Sequence, residues 1–235
     1  IGRMNTGFKF YLQVWTLFSI CAATALGWLL EAAPGWTHAW RRSWQIGLGI
    51  LVFAAALYPI LASAAKIRDR MVDGVPLTLD GMKFMQSASY DWKGPMDLGQ
   101  DYAAIRWMQD NVQGSPVLIE ANLRDLYRWG SRFSIYTGLP SVVGWEWHQQ
   151  QQRAINPGAW VSNRIAEVDE FYKTVNTERA VEILHKYQVR YIIVGQLERN
   201  LYVNLSLEKF EKQNGILWNA VYRQDQTVIY EVITP

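Results

Sequence analysis

The chain has 235 residues, half of them hydrophobic, and a formal charge of +2 at pH 7. Such a small positive excess gives no support for a nucleic-acid-binding protein. The lone cysteine, Cys21, excludes an internal disulfide framework and a zinc site built from cysteines.

Two long apolar segments come first in the chain. Residues 10–30 and 44–65, which are 21 and 22 residues long, contain no charged side chain. At about 1.5 Å per residue each spans roughly 30 Å, the thickness of a bilayer's hydrocarbon core. We therefore predict a transmembrane helical hairpin over residues 1–66; the alternative is a pair of helices buried in a soluble protein.

The charges around these segments bear on orientation. Arg41 and Arg42 lie in the short connection and favour a cytoplasmic loop, although Arg3, Lys9 and Lys66 flank the outer ends and weaken the bias. We predict an integral protein of the cytoplasmic membrane whose large domain is extracytoplasmic.

The remainder is predicted to be a linker, residues 67–100, followed by a soluble α/β domain, residues 101–235. Its pattern gives a helix over residues 102–112 and a strand over 117–121, then a helix over 177–187 capped by Thr177 and a strand over 191–194. Residues 217–222 and 228–232 form a terminal hairpin. Apolar strands that follow amphipathic helices indicate a sheet covered on both faces, hence a Rossmann-like α/β fold with a mixed sheet.

Residues 144–153, "GWEWHQQQQR", are the first candidate site. In a helix, one face carries Glu146, Gln149, Gln150 and Arg153, and the adjacent face carries Trp145, His148 and Gln152. Indole rings beside amides and a guanidinium can bind a sugar, because the ring stacks on C–H faces while polar groups bind hydroxyls. A solvated helix with two tryptophan anchors is the alternative. The preceding residues 131–140 are predicted to form a strand and a tight turn.

Two further sets of polar residues are candidates. Glu120, Glu198 and Arg199 fall at the carboxyl ends of predicted strands, where ligands gather in open α/β sheets. The alternative is that Glu198 and Arg199 form a surface ion pair. At the membrane entry, Asn5 and Lys9 are four residues apart on one helix face. Together with Arg3 they are candidate contacts to a lipid phosphate. The alternatives are that Arg3 and Lys9 simply extend to the interface, or that the polar stripe packs against neighbouring helices.

No nucleotide-binding loop, zinc-protease motif or serine-hydrolase motif occurs, and no cofactor or metal site is evident. Several ordered motifs nevertheless resemble the C-terminal part of the YYY-type polytopic membrane proteins of bacteria and archaea, which are grouped with the GT-C glycosyltransferases. These motifs are "GRMNTGFKFYLQVW", "TLDGMKFM", "AIRWMQDN", "PVLIEA", "SRFSIYTGLPSVVGWEWHQQQQR", "KYQVRYIIVGQLER" and "TVIYEV".

The resemblance implies transfer of a sugar from a polyprenyl-phosphate donor, with the catalytic loop, and any divalent metal it holds, upstream of Ile1. It implies contacts by residues of the matched motifs, which are Asp80, Arg132, Trp145, His148, Arg153, Glu198 and Arg199. The soluble domain would then shape the acceptor or donor site, beside upstream helices. The alternative function is a non-catalytic, membrane-anchored accessory subunit that binds other subunits of a larger membrane complex.

Overall fold

The computed structural model describes residues 4–71, 75, 77–124, 127–153 and 159–233, with side chains from residue 7 onward. The chain divides into two compact units, Ile1–Met71 and Val72–Pro235. The first holds two apolar helices and the second is an α/β domain with a mixed sheet.

The first unit contains helices α1, Met4–Ala32, and α2, His38–Arg70, joined through a 3-10 turn at Ala33–Gly35. By length and composition, two segments in the described part of the chain can cross a membrane, Gly7–Gly35 and His38–Arg70. Their most apolar windows are 6% and 0% buried. Helices that expose apolar side chains all round require an apolar surrounding, which the predicted bilayer would provide.

The second unit begins with a short antiparallel hairpin, β1 (Ser89–Asp91) and β2 (Pro95–Asp97), after a 3-10 turn at Lys83–Gln86. Helix α3, Leu98–Asn111, and strand β3, Val117–Ile119, follow. Next come α4 (Arg132–Thr137), α5 (Glu146–Gln152), α6 (Ala159–Lys173) and α7 (Thr177–Lys186). The chain ends with β4 (Val189–Val194), α8 (Gln196–Leu201), α9 (Asn204–Lys212), β5 (Trp218–Gln224) and β6 (Thr227–Val232).

The main sheet has four strands in the order β3-β4-β6-β5, in which only β3 and β4 are parallel. Successive residues of a strand point to opposite faces, so Ile192 packs under α6, α7 and α9, whereas Ile193 packs under α3 and α4. Both faces are covered, as the sequence predicts, and the carboxyl ends of β3 and β4 lie side by side.

Several local predictions are wrong in detail. Residues 131–140 contain helix α4 and not a strand. The predicted linker holds the β1–β2 hairpin and buries Met85 and Met96 in the core. Asn176, not Thr177, caps α7, because its side chain accepts the N–H of Arg179.

Candidate functional site

Arg132 lies in the interior of the domain among three carboxylates. It is 1% exposed. Its Nε donates to Oδ2 of Asp101 at 2.8 Å, and its Nη2 donates to Oε2 of Glu198 at 2.9 Å. Its Nη1 lies 3.7 Å from Oε2 of Glu120. We call Arg132, Asp101, Glu120 and Glu198 the buried ion cluster.

Glu120 ties the end of β3 to the start of α4. Its two oxygens accept the backbone N–H groups of Phe133 and Ser134, each at 3.0 Å. These amides would otherwise lack partners in the first helical turn, where a carboxylate also meets the positive end of the helix dipole. Ser131, just before α4, has a left-handed backbone (φ 59°), which is uncommon for a residue other than glycine.

Glu198 ties β3 to the segment after β4. Its Oε1 accepts the N–H of Ala121 at 2.9 Å, and its Oε2 accepts the N–H of Gly195 at 2.8 Å. A Cβ on Gly195 would lie 3.1 Å from Nη2 of Arg132, so a side chain there would crowd the guanidinium. Glu198 is therefore not the partner of Arg199 in a surface pair, and that alternative is wrong.

The three carboxyl groups around Arg132 have differently shifted pKa values, because burial and the contacts with Arg132 act on each of them to a different extent. Burial raises the pKa of Glu120 to about 7, although Arg132 and the two amides favour its charged form. Burial likewise raises the pKa of Asp101. Burial acts in the same direction on Glu198, but the charge and hydrogen bonds of Arg132 outweigh it and lower the pKa of that carboxyl. The cluster is a buried cross-link between α3, α4 and the two parallel strands.

A second group of arginines lies at the surface, around Trp160 at the start of α6. The guanidinium carbon of Arg153 lies 4.7 Å from the centre of the indole, and that of Arg164 lies 4.4 Å from it. Arg153 is exposed, and its Nε donates to Oε1 of Gln149 at 2.8 Å. Arg153, Trp160 and Arg164 line a small cavity of about 80 Å³ and form what we call the arginine–tryptophan surface.

The other candidates of the "GWEWHQQQQR" segment lie around Tyr127. The Tyr127 ring packs edge-on against Trp145 at 4.9 Å and lies 6.4 Å from the ring of His148. Trp145 is anchored, because its Nε1 donates to the carbonyl of Gly130 at 3.0 Å. Glu146 accepts from Gln150 at 3.1 Å, which confirms the predicted shared helix face. The structure thus anchors Trp145, whereas His148 and Arg153 are exposed.

A larger cavity, of about 280 Å³, lies where the carboxyl ends of β3 and β4 meet. Asn122, after β3, and Tyr202, after β4 and α8, line it from the sheet side. Trp92 and Lys93, from the β1–β2 turn, line it as well. We call this space the sheet-end cavity. Open α/β sheets bind ligands beyond the carboxyl ends of their strands, which is where this cavity lies. The residues predicted there, Glu120 and Glu198, are instead buried in the ion cluster.

The remaining predicted residues have local roles or lie outside the description. Asp80 is exposed, and its Oδ1 accepts the N–H of Met82 at 2.9 Å in a turn. Arg199 donates from Nε to the carbonyl of Gln226 at 2.9 Å. Lys9 is exposed on α1, the side chain of Asn5 is outside the described part, and Arg3 precedes the described residues.

Sequence reasoning missed the contributions of Trp92, Lys93 and Trp160. The first two lie in the stretch read as a linker, where "DWKG" has the glycine of a tight turn between two short strands. Lys93 has a left-handed backbone (φ 55°), and Gly94 follows it. An aromatic residue and a lysine before the glycine of a tight turn are the sequence signal for a hairpin tip, and a hairpin here belongs to the α/β domain.

Among the residues that the structure describes, no group of three or more His, Cys, Asp or Glu side chains could hold a metal ion. The three carboxylates of the buried ion cluster come together, but the cation between them is the guanidinium of Arg132.

The fold defines a protein with two helices of membrane-spanning length and an α/β domain with a mixed sheet. No protein-family model and no curated protein matches the chain. Among solved structures, the C-terminal globular domain of an oligosaccharyltransferase from Archaeoglobus fulgidus is similar, with 15% identity and a TM-score of 0.37. That match covers 56% of this chain and 96% of the archaeal domain. The resemblance to the YYY-type proteins stays a prediction.

Proposed function

We propose that this chain is the C-terminal part of a GT-C-like membrane glycosyltransferase that uses a polyprenyl-phosphate-linked sugar. The two apolar helices would lie in the cytoplasmic membrane, and the α/β domain would lie on its extracytoplasmic side. There the domain would shape the site for the donor or acceptor. The ordered motifs that resemble the YYY-type proteins supply the reaction class.

The observation that carries the proposal is the arginine–tryptophan surface. Two guanidiniums flank one indole, and a guanidinium matches the geometry of phosphate oxygens with paired N–H donors. Trp160 stays partly exposed beside the two guanidiniums, and the part of the indole that they leave uncovered is an apolar surface for the C–H groups of a sugar. A group that combines a sugar and a phosphate therefore fits this surface better than a neutral sugar or a free anion does.

Other residues of the matched motifs would have supporting roles. His148 lies beside Tyr127 and is exposed, so it can contact an acceptor hydroxyl without a fixed proton partner. Arg132 and Glu198 would hold α4 and the strand ends in place and would not touch the ligand, since both are buried. The resemblance leaves the catalytic base in an upstream loop, so no residue of this chain is proposed for that role.

The test is sugar transfer by the natural protein in membrane vesicles, with farnesyl-phosphate-linked glucose, mannose and galactose as donors. We expect transfer with at least one donor, and a loss of at least about tenfold in Arg153→Ala, because a charge-assisted hydrogen bond contributes about 1.5–3 kcal/mol. Arg106→Ala, which removes an exposed arginine on α3, is the matched control. Transfer at the wild-type rate in Arg153→Ala and His148→Ala would remove both residues from the site.

The accessory-subunit alternative predicts a different result. In that case no donor would be consumed by the purified protein, and partner subunits would co-purify after extraction in mild detergent. Transfer that depends on Arg153 excludes a purely structural role.

A further inference from the structure

The sheet-end cavity has the form of a small-ligand site separate from the arginine–tryptophan surface. Its volume of about 280 Å³ is just below the range of roughly 300–1,000 Å³ usual for ligand pockets. A cavity of this size suits one small ligand and not an oligosaccharide. Its position beyond the carboxyl ends of two parallel strands is where open α/β sheets bind ligands.

The charges around the cavity favour an anion. Three cations, Lys93, Arg124 and Lys173, and one carboxylate, Asp169, line it. The carboxylate is already engaged on both oxygens, since Oδ1 accepts the hydroxyl of Tyr202 at 2.9 Å and Oδ2 accepts Lys173 at 3.1 Å. Arg124 is exposed and makes no hydrogen bond or ion pair with the described residues. Its fork of N–H donors is therefore available to a phosphate or carboxylate group.

The cavity also has groups suited to a sugar. Asn122 donates from Nδ2 to the carbonyl of Gly144 at 2.9 Å, whereas its buried Oδ1 has no donor among the described residues. A buried acceptor without a donor is costly, and a ligand hydroxyl would satisfy it. Trp92 supplies an aromatic surface at the same cavity, with the ammonium of Lys93 4.9 Å from its ring centre.

Helix α6 connects this cavity with the arginine–tryptophan surface. Trp160 and Arg164 lie on its first half, whereas Asp169 and Lys173 lie on its second half. The helix rises about 1.5 Å per residue, so Arg164 and Asp169 are separated along it by roughly 7–8 Å. The hydrogen bond from Asn122 to Gly144 adds a second connection, since Gly144 opens the "GWEWHQQQQR" segment.

We propose that the sheet-end cavity binds a glycosyl phosphate, with Arg124 and Lys93 on the phosphate and Asn122 and Trp92 on the sugar. The choice of a sugar phosphate rests on the proposed function, whereas the choice of an anion that carries hydroxyl groups rests on the cavity itself. The same chemistry can come from a lipid-linked sugar phosphate or from a free sugar phosphate.

The experiment is isothermal titration of the full chain, purified in detergent, with glucose 1-phosphate, inorganic phosphate and glucose. We expect glucose 1-phosphate to bind more tightly than either of its parts. Arg124→Gln and Lys93→Gln should each weaken that binding by about tenfold, since each removes a charge-assisted hydrogen bond. Both side chains are exposed, so both variants should fold. Asn122→Asp, which puts a second carboxylate in the cavity, should weaken binding further.

Arg106→Gln removes the same charge from an exposed site on α3 and should bind glucose 1-phosphate as the wild type does. Absence of binding, or equal affinities in Arg124→Gln, Arg106→Gln and the wild type, would overturn the proposal. Tighter binding of farnesyl-phosphate-linked glucose supports a lipid-linked source, whereas equal binding supports a free sugar phosphate; both support the assigned ligand class.

The proposed function can fail separately. Sugar transfer without Arg124-dependent binding would leave the glycosyltransferase proposal in place and remove the ligand from this cavity. Arg124-dependent binding of glucose 1-phosphate without sugar transfer would keep the ligand in this cavity and remove the glycosyltransferase proposal.

Discussion

Arg132 and Arg153 carry the same guanidinium in opposite surroundings. Arg132 is 1% exposed, and three buried carboxylates surround it. Arg153 is exposed, with an amide oxygen and an indole as its contacts. A buried guanidinium whose three nitrogens all contact carboxylates is out of reach of a ligand, whereas an exposed guanidinium on an aromatic ring keeps donors for a phosphate. Membership of the same sequence motif therefore does not imply the same role.

The largest expected effect is the loss of the buried cation. Arg132→Met should lower the free energy of unfolding by about 3–5 kcal/mol, because it leaves buried carboxylates without their counter-ion. Denaturant unfolding of the full chain in detergent, followed by tryptophan fluorescence, measures the change. Arg153→Met is the matched control, and equal loss in both variants would end the distinction between the two arginines.

A pH titration of stability addresses the buried ion cluster next. Burial raises the pKa of Glu120 from its ordinary 4.5 to about 7. The unfolded chain thus releases this proton at lower pH than the folded chain does. The stabilisation that Glu120 gives to the folded state is therefore fully present below about pH 4.5 and is lost as the pH rises to about 7. The decrease is at most on the order of 3 kcal/mol.

Glu120→Gln cannot release a proton, so its stability should fall less between pH 5 and pH 7 than that of the wild type. Asp101, whose pKa is also raised by burial, should keep part of the slope. Glu198 has the opposite sign, because its pKa is lowered and its contribution is lost as pH falls below its ordinary range. Parallel stability curves for Glu120→Gln and the wild type would contradict this account.

The smallest expected effect on stability belongs to the exposed surface. Arg153→Ala should change the free energy of unfolding by no more than about 0.5 kcal/mol, since an exposed side chain leaves no buried group unpaired. Denaturant unfolding at two salt concentrations checks the value. A loss above about 1 kcal/mol would mean that Arg153 has a structural role.

The sequence predicts the repeated helix–strand units well because their information is local. The apolar residues of α7 recur at helical spacing, and β4 ends in the apolar run of residues 191–194. The sequence-based prediction fails at residues 131–140, where α4 forms because Glu120, which precedes the helix, accepts the first N–H groups of that helix. It also fails at Glu198, whose partner Arg132 is 66 residues away and not next in the chain. Pairings across the fold have no signature in spacing.

The same difference between local spacing and pairings across the fold applies to the candidate site. The face shared by Glu146 and Gln150 could be read from helical spacing, and the structure confirms it. The motif predicts Arg153 as a contact residue, but its position beside Trp160 depends on where α6 lies against α5. Lys93 and Asn122 meet at one cavity only because the β1–β2 turn and the end of β3 converge there.

The most direct test of the central claim compares binding of farnesyl-phosphate-linked glucose by the full chain in detergent for Arg153→Ala and the wild type, at matched stability. Both proteins also carry Arg124→Gln, so that binding in the sheet-end cavity does not mask the change. The account predicts at least about tenfold weaker binding with an unfolding free energy unchanged within about 0.5 kcal/mol. Wild-type affinity in Arg153→Ala would contradict the claim that the arginine–tryptophan surface holds the sugar phosphate.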